Sequence, residues 1–186
     1  MLPTLDSQRL RLRTPQIADS GDLFRVFSHP EAMRYWSSTP YEDPQKAVDL
    51  VKEIHQLCES KALYQWGIEW REEQRLIGTC TLAGLDWSNG RCEVGFILHP
   101  DYWRKGIISE ALSTLFQHAF DDLKMRRIEA DVDPKNIASV RTLERMGFQR
   151  EGLLRERWNV GGDIQDSLFY GLLKSDWEQR LQQQES

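Results

Sequence analysis

Apolar positions along this chain recur with two periods, and the switches between them outline its elements. Alternation with period two predicts strands at Leu10 to Thr14, Tyr64 to Trp70, Leu76 to Leu85, Cys92 to Leu98, Arg127 to Val132, Phe148 to Arg157 and Gln165 to Leu173. Tyr64, Trp66, Ile68 and Trp70 then share one face, and Ile128, Ala130 and Val132 alternate against charged residues, which implies a sheet covered there on one side only. Helical spacing runs through Ile17 to Phe27, Pro44 to Ser60 and Gly106 to Asp122, where Ile107, Ala111, Leu112, Leu115, Phe116, Ala119 and Phe120 form one core-facing stripe. A shorter helix begins at Asn136 as N-cap, turns Val140, Leu143 and Met146 inward, and ends where Gly147 can adopt a left-handed cap. Asn89-Gly90 and Gly161-Gly162 mark hairpin turns.

Antiparallel strands, a strand–helix–strand unit and a closing hairpin predict an α/β fold of the α+β kind. Residues 1–186 form one domain with a mixed, mostly antiparallel sheet of about seven strands and helices on both faces. Residues from about 179 to 186, with Gln182-Gln183-Gln184-Glu185, read as a fraying tail.

Composition narrows the function. A chain of 186 residues, 40% hydrophobic, can bury one sizeable core. A net charge of −5 and a pI near 5.4 argue against nucleic acid as a partner and favour a cationic one. No apolar run approaches the roughly 18 residues of a membrane span, and Met1 to Leu12 lacks the continuous apolar region of a signal peptide. Cys58, Cys80 and Cys92 show neither metal-ligand spacing nor a disulfide framework, and the four histidines form no close pair. The expectation is a cytoplasmic protein with no metal.

The candidate chemistry starts at Asp101-Tyr-Trp-Arg104-Lys105-Gly106-Ile107-Ile108-Ser109, a basic, glycine-containing turn between an apolar strand and a helix. A helix N-terminus offers unpaired N–H groups and positive dipole potential, which suits a phosphorylated ligand. Read alone, the turn is more simply a loop carrying solvated basic residues. The second segment, Asn136-x-x-Ser139-x-Arg141-x-x-Glu144-Arg145-x-Gly147-Phe148-x-x-Glu151-Gly152, also has a purely local reading as a capped helix.

Together the two segments resemble the signatures of the GNAT superfamily of acyl-CoA-dependent N-acyltransferases, and more closely its Rim-type ribosomal-protein N-acetyltransferase branch. Asp6-Ser-Gln-Arg9-Leu-Arg-Leu-Arg13, His29-Pro-Glu-Ala-Met33-Arg-Tyr35-Trp36 and the stretch from Asp166 to Trp177 are similar to that branch as well. The resemblance implies a sheet splayed between its fourth and fifth strands with acetyl-CoA, the co-substrate, in the gap. The acetyl group passes by direct attack in a ternary complex to a primary amine, foremost a protein N-terminal α-amine. The alternatives are a small amine (polyamine, amino sugar or aminoglycoside) or a non-catalytic acyl-CoA-binding module. A homodimer through the closing strands is also implied.

Carried over position by position, backbone groups of Phe96, Ile97 and Leu98 would hold the acyl and pantetheine oxygens. Arg104, Lys105, Gly106, Ile107, Ile108 and Ser109 would form the pyrophosphate loop, Asn136 would bond the pantetheine arm, and Arg141 or Arg145 would reach CoA phosphate. An alkylammonium of pKa about 10 must lose a proton before it attacks. Glu93 is the first candidate base, then Asp166 and Glu156, although Glu93 also reads as an ordinary strand carboxylate. Ser139 is the candidate proton donor to the thiolate, with local backbone bonding as its bland alternative and Tyr170 as a substitute. Tyr35, Trp36, Trp87 and Asp166 are expected around the acceptor. Trp103 and Arg104 depart from the family loop, which begins with Gln or Arg and has glycine where Arg104 stands. A glutamate proposed as base in one Rim subtype aligns with Trp158, so its role does not transfer.

Overall fold

Alternation becomes pairing in the order β1-β2-β3-β4-β5-β6-β8-β7, one eight-stranded sheet in a computed structural model that describes residues 2–185, with side chains through 183. The strands are β1 (Leu5–Asp6), β2 (Leu10–Arg13), β3 (Leu63–Trp70), β4 (Arg75–Asp86), β5 (Arg91–Leu98), β6 (Arg127–Val132), β7 (Gln149–Val160) and β8 (Asp163–Leu173). Every pairing is antiparallel except β5 with β6. The sequence pattern missed β1 because two residues are too few to alternate, hence eight strands rather than about seven.

Helices α1 (Ser20–Phe27), α2 (Pro30–Met33) and α3 (Gln45–Glu59) cover one face, with Leu23, Val26, Phe27, Met33, Ala47 and Val51 packed over Leu76 and Ile97. Helix α4 (Ile107–Asp121) covers the other, where Leu112, Leu115, Phe116 and Phe120 pack with Leu10, Leu12, Trp66, Ile68, Cys80 and Leu82. Helices α5 (Ile137–Arg145) and α6 (Lys174–Glu185) add Leu143, Met146 and Trp177 to that core. Pro30 at the first turn of α2 and the His29 ring accepting from the Glu31 N–H start a single-turn helix where the sequence pattern predicts no element. Gly147, at φ 97°, takes the left-handed conformation its position after α5 predicts. Helix α6 extends to Glu185 through the segment expected to fray, and Ser186 lies outside the described residues.

One register detail creates the site. The parallel ladder of β5 with β6 holds only for Arg91↔Arg127, Cys92↔Ile128 and Glu93↔Glu129. Beyond Glu93, β5 keeps β4 on one side and has no ladder partner on the other, so alternate backbone N–H and C=O groups from Val94 to Leu98 face a gap. This is the splay expected between the fourth and fifth strands, counted one higher because of β1.

Candidate active site

Two cavities meet at the gap. The first, about 610 Å³, is walled by Phe96, Ile97 and Leu98 of β5, by Arg104 and Gly106 to Ser109 at the start of α4, and by Asn136, Ser139 and Arg141 of α5. Arg34, Lys135 and Arg145 complete its basic lining, with Glu31 the single acid. The second, about 320 Å³, is lined by Glu93, Asp131, Asp133 and Asp166, and no lysine or arginine lines it. Tyr35, Trp36, Phe96, Asn136 and Ser139 belong to both, so a cationic and an anionic chamber share one doorway.

The basic chamber fits a polyphosphate. Arg104 and Gly106 both have left-handed backbones, φ 61° and 72°, and this double turn aims the first N–H groups of α4 into the cavity. The arginine holds that conformation where glycine would do so without Cβ strain. Arg9, at the mouth of β2, anchors the turn: its guanidinium donates to the Lys105 carbonyl at 2.9 Å and to Glu110 at 2.7 Å. Glu110 also accepts from the Arg9 N–H and the Ser7 hydroxyl, and these donors hold its carboxyl below the usual range against the opposing effect of burial. Lys105 itself does not line the cavity; its ammonium sits 5.3 Å from the Tyr102 ring centroid. The Trp103 indole donates to the Leu98 carbonyl at 2.8 Å, closing the end of β5. Asn136 caps α5 by accepting from the Ser139 N–H at 3.2 Å, which leaves its amide NH₂ available to a carbonyl in the chamber. The exposed Ile137 supplies an apolar wall.

The acidic chamber centres on Glu93. Among the described residues its carboxylate has no hydrogen-bond or ion-pair partner. Burial, chiefly, then repulsion from Asp131 and Glu129, hold its pKa above the ordinary carboxylate value against the pull of Arg157. Asp131 accepts from the Trp158 indole at 3.1 Å and pairs with Arg157 at 3.4 Å. Asp166 accepts from the Glu156 N–H at 2.8 Å, where β7 bulges. Glu93 is thus the carboxylate left free. Tyr35 and Trp36 follow α2, and Trp36 is fixed edge-on to Phe27 at 5.9 Å.

Four candidate residues lie outside the linings of both cavities. Trp87 lines neither cavity; it packs edge-on against Tyr64 at 6.1 Å, on the α4 side of the sheet. Lys105 points to Tyr102, as described. Glu156 lies on the bulge and lines neither cavity, contributing its backbone N–H to Asp166. Tyr170 is 1% exposed and its hydroxyl donates to Glu144 at 3.2 Å, away from both chambers. The reading of β6 as covered on one side also changes, because Asp131, at 11% side-chain exposure, is a cleft wall. Sequence reasoning missed Asp131, Asp133, Gln65 and Thr81; for Asp131 the alternation of β6 carried the signal, had its polar face been read as facing a ligand.

Cys80 and Cys92 are buried, with burial pushing both thiols up, Cys92 to about 12, so neither offers a thiolate to carry an acyl group. No helix among the described residues is long and apolar enough to cross a membrane. No group of three or more His, Cys, Asp or Glu among them could hold a metal ion.

Comparison with known proteins agrees with this geometry. The model of the acetyltransferase (GNAT) domain matches residues 9–149. The uncharacterized N-acetyltransferase p20 of Bacillus licheniformis is 35% identical over 176 residues, 95% of this chain and 99% of the relative. The solved ribosomal-protein-S5-alanine acetyltransferase of Vibrio fischeri superposes with TM-score 0.81 at 19% identity, covering 94% of this chain and 98% of that one. The spermidine N-acetyltransferase of Vibrio cholerae, solved with CoA and spermine, superposes with TM-score 0.80 at 23% identity, covering 92% and 99%. With its splayed strand, its basic loop and a family match across most of its length, the chain belongs to the GNAT acetyltransferases, which transfer an acetyl group from acetyl-CoA to an amine.

Proposed function

We propose that the acceptor is a small cationic primary amine, bound in the acidic chamber and acetylated at the doorway. The observation that carries this reading is the contrast between the chambers: four carboxylates and no cationic side chain line the 320 Å³ cleft that opens into the basic cavity. Such a lining concentrates ammonium groups and favours a compact guest. Acetyl-CoA supplies the thioester. Glu93 accepts the proton that the ammonium must lose, and its raised pKa makes it a stronger base than an ordinary carboxylate. Backbone N–H groups of β5 beyond Glu93 donate to the carbonyl oxygen as it becomes anionic. The Ser139 hydroxyl, shared by both chambers, gives a proton to the departing sulfur and is reprotonated by the second proton that the nitrogen sheds as the amide forms. Phe96 and Trp36 narrow the doorway between amine and thioester.

The protein N-terminus expected from the sequence needs the same doorway but a path for a chain leading out of the cleft. CoA-thiol release from acetyl-CoA decides between them, comparing polyamines, amino sugars and aminoglycosides with free and N-blocked peptides at equal concentration. Release with small amines supports the reading. Release with free N-terminal peptides alone replaces it by a Rim-like protein acetyltransferase. No amine-dependent release in either wild type or Glu93→Gln, with CoA still bound, makes the chain an acyl-CoA-binding module.

A further inference from the structure

The floor of the acidic chamber holds a second unpartnered polar group besides Glu93. Gln65 on β3 is 7% exposed, lines the cleft, and among the described residues makes no side-chain hydrogen bond. Its amide atoms are not sealed in the core but reach the open cleft, so the polar end of the side chain is presented to whatever fills that cavity. Such a group belongs where a ligand completes it.

The sheet register shows what it faces. Gln65 pairs with Thr81, and Thr81 with Gly95, so the three form one row across β3, β4 and β5. A Cβ built on Gly95 would meet nothing within 4 Å, so the floor between Gln65 and β5 is open. Two strand spacings of about 4.8 Å put the Gln65 and Gly95 backbones roughly 10 Å apart. Glu93 lies two residues from Gly95 on the same face of β5, and Thr81 and Ala83 lie between the strands as small floor residues. An acceptor whose amine reaches Glu93 therefore extends over Gly95 and Thr81 toward the Gln65 amide.

We infer that Gln65 is a specificity-determining residue whose side-chain amide, with the Thr81 hydroxyl beside it, binds a second hydrogen-bonding group on the acceptor, remote from the nitrogen that is acetylated. The amide accepts through its oxygen and donates through its nitrogen, so a hydroxyl and a second amine are both served. This rests on the cleft being the acceptor site, as proposed above.

The test uses the full chain, saturating acetyl-CoA, and three matched acceptor series of three to eight carbons: alkylamines, amino alcohols and α,ω-diamines. The wild type should favour an amino alcohol or diamine over the alkylamine of equal length by about tenfold or more in kcat/KM, the worth of one well-made hydrogen bond. Gln65→Leu should erase that preference while leaving alkylamine turnover and the KM for acetyl-CoA within about twofold. Gln65→Glu should move the preference toward diamines, and it serves alone if the leucine variant does not fold. A preference unchanged in both variants, or an equal loss for all three series, overturns the inference and leaves the proposed function standing. A wild type that acetylates none of the three series overturns both.

Discussion

Replacing Gly106 by alanine separates backbone conformation from steric fit at the start of α4. Gly106 has φ 72°, and an added Cβ would meet only Arg9 Nη2, at 3.6 Å, an ordinary contact. The substitution therefore creates no clash, and its cost is the left-handed torsion itself, about 1–2 kcal/mol. Loss of chain freedom in the unfolded state returns roughly 0.4–1 kcal/mol. The net destabilisation is then about 1 kcal/mol, which for a domain of this size lowers Tm by roughly 2–4 °C. If the residue relaxes instead to a right-handed backbone, the turn holding Arg104 moves and the N–H groups of Ile107 to Ser109 no longer converge on the cavity. The first response lowers Tm and leaves CoA affinity as it was; the second weakens CoA binding, because a site that must be re-formed gives up part of the binding free energy. Thermal melts followed by tryptophan fluorescence, with CoA titrated calorimetrically into the same protein, read both quantities. A Gly106→Ala variant with wild-type Tm and wild-type CoA affinity would refute the assignment of this turn as a conformationally fixed anion cradle.

Glu93→Gln should lower kcat by about 10² to 10⁴ while CoA affinity stays unchanged by calorimetry. The same variant has a stability signature: because burial raises the Glu93 pKa, folded and unfolded states are equally protonated at acid pH, and stability is lost as pH rises through the interval from the ordinary to the raised value. Melts across pH should find Glu93→Gln more stable than wild type near neutrality and equal to it in acid. Ser139→Ala should lower kcat by roughly tenfold or more with CoA affinity within about twofold, as expected for a proton donor to the leaving sulfur. Arg9→Met removes the tie from the start of β2 to the Lys105 carbonyl and one of the three donors to Glu110. Its side chain is 38% exposed, so the ion pair adds under about 1 kcal/mol to stability. Steady-state kinetics should accordingly show a higher KM for acetyl-CoA with kcat little changed, and a fallen kcat with unchanged KM would assign Arg9 elsewhere.

The cofactor half of the site was legible in the sequence because it is local. Arg104 to Ser109 is one turn joining one strand to one helix, and Asn136 to Arg145 is one capped helix, so residue order alone brings their polar groups near each other. Periodicity likewise found the long strands and α1, α3, α4 and α5, since each buries a face, but not α6, in which Trp177 is the one buried side chain among residues 174–183. It missed β1 and α2, whose lengths of two and four residues are set by neighbours and by the His29 and Pro30 cap rather than by a repeat.

The acceptor half is different in kind. Gln65, Thr81, Glu93, Asp131 and Asp166 come from five strands spread over a hundred positions, and only the register of the sheet puts them in one cleft. Each one alone reads as the polar member of an alternating strand, which for Asp131 meant a solvent-facing side chain. Trp87, expected around the acceptor, packs its ring on Tyr64 instead, and Tyr64 and Gln65 point to opposite sides of β3. In a pleated strand, adjacent positions are separated by the thickness of the sheet, so a shift of one residue exchanges cleft for core. On the proposed acceptor site, the choice of amine follows from pleat parity and inter-strand register, and substitutions at Gln65 or Thr81 should retune it while the contiguous acetyl-CoA loop stays as it is.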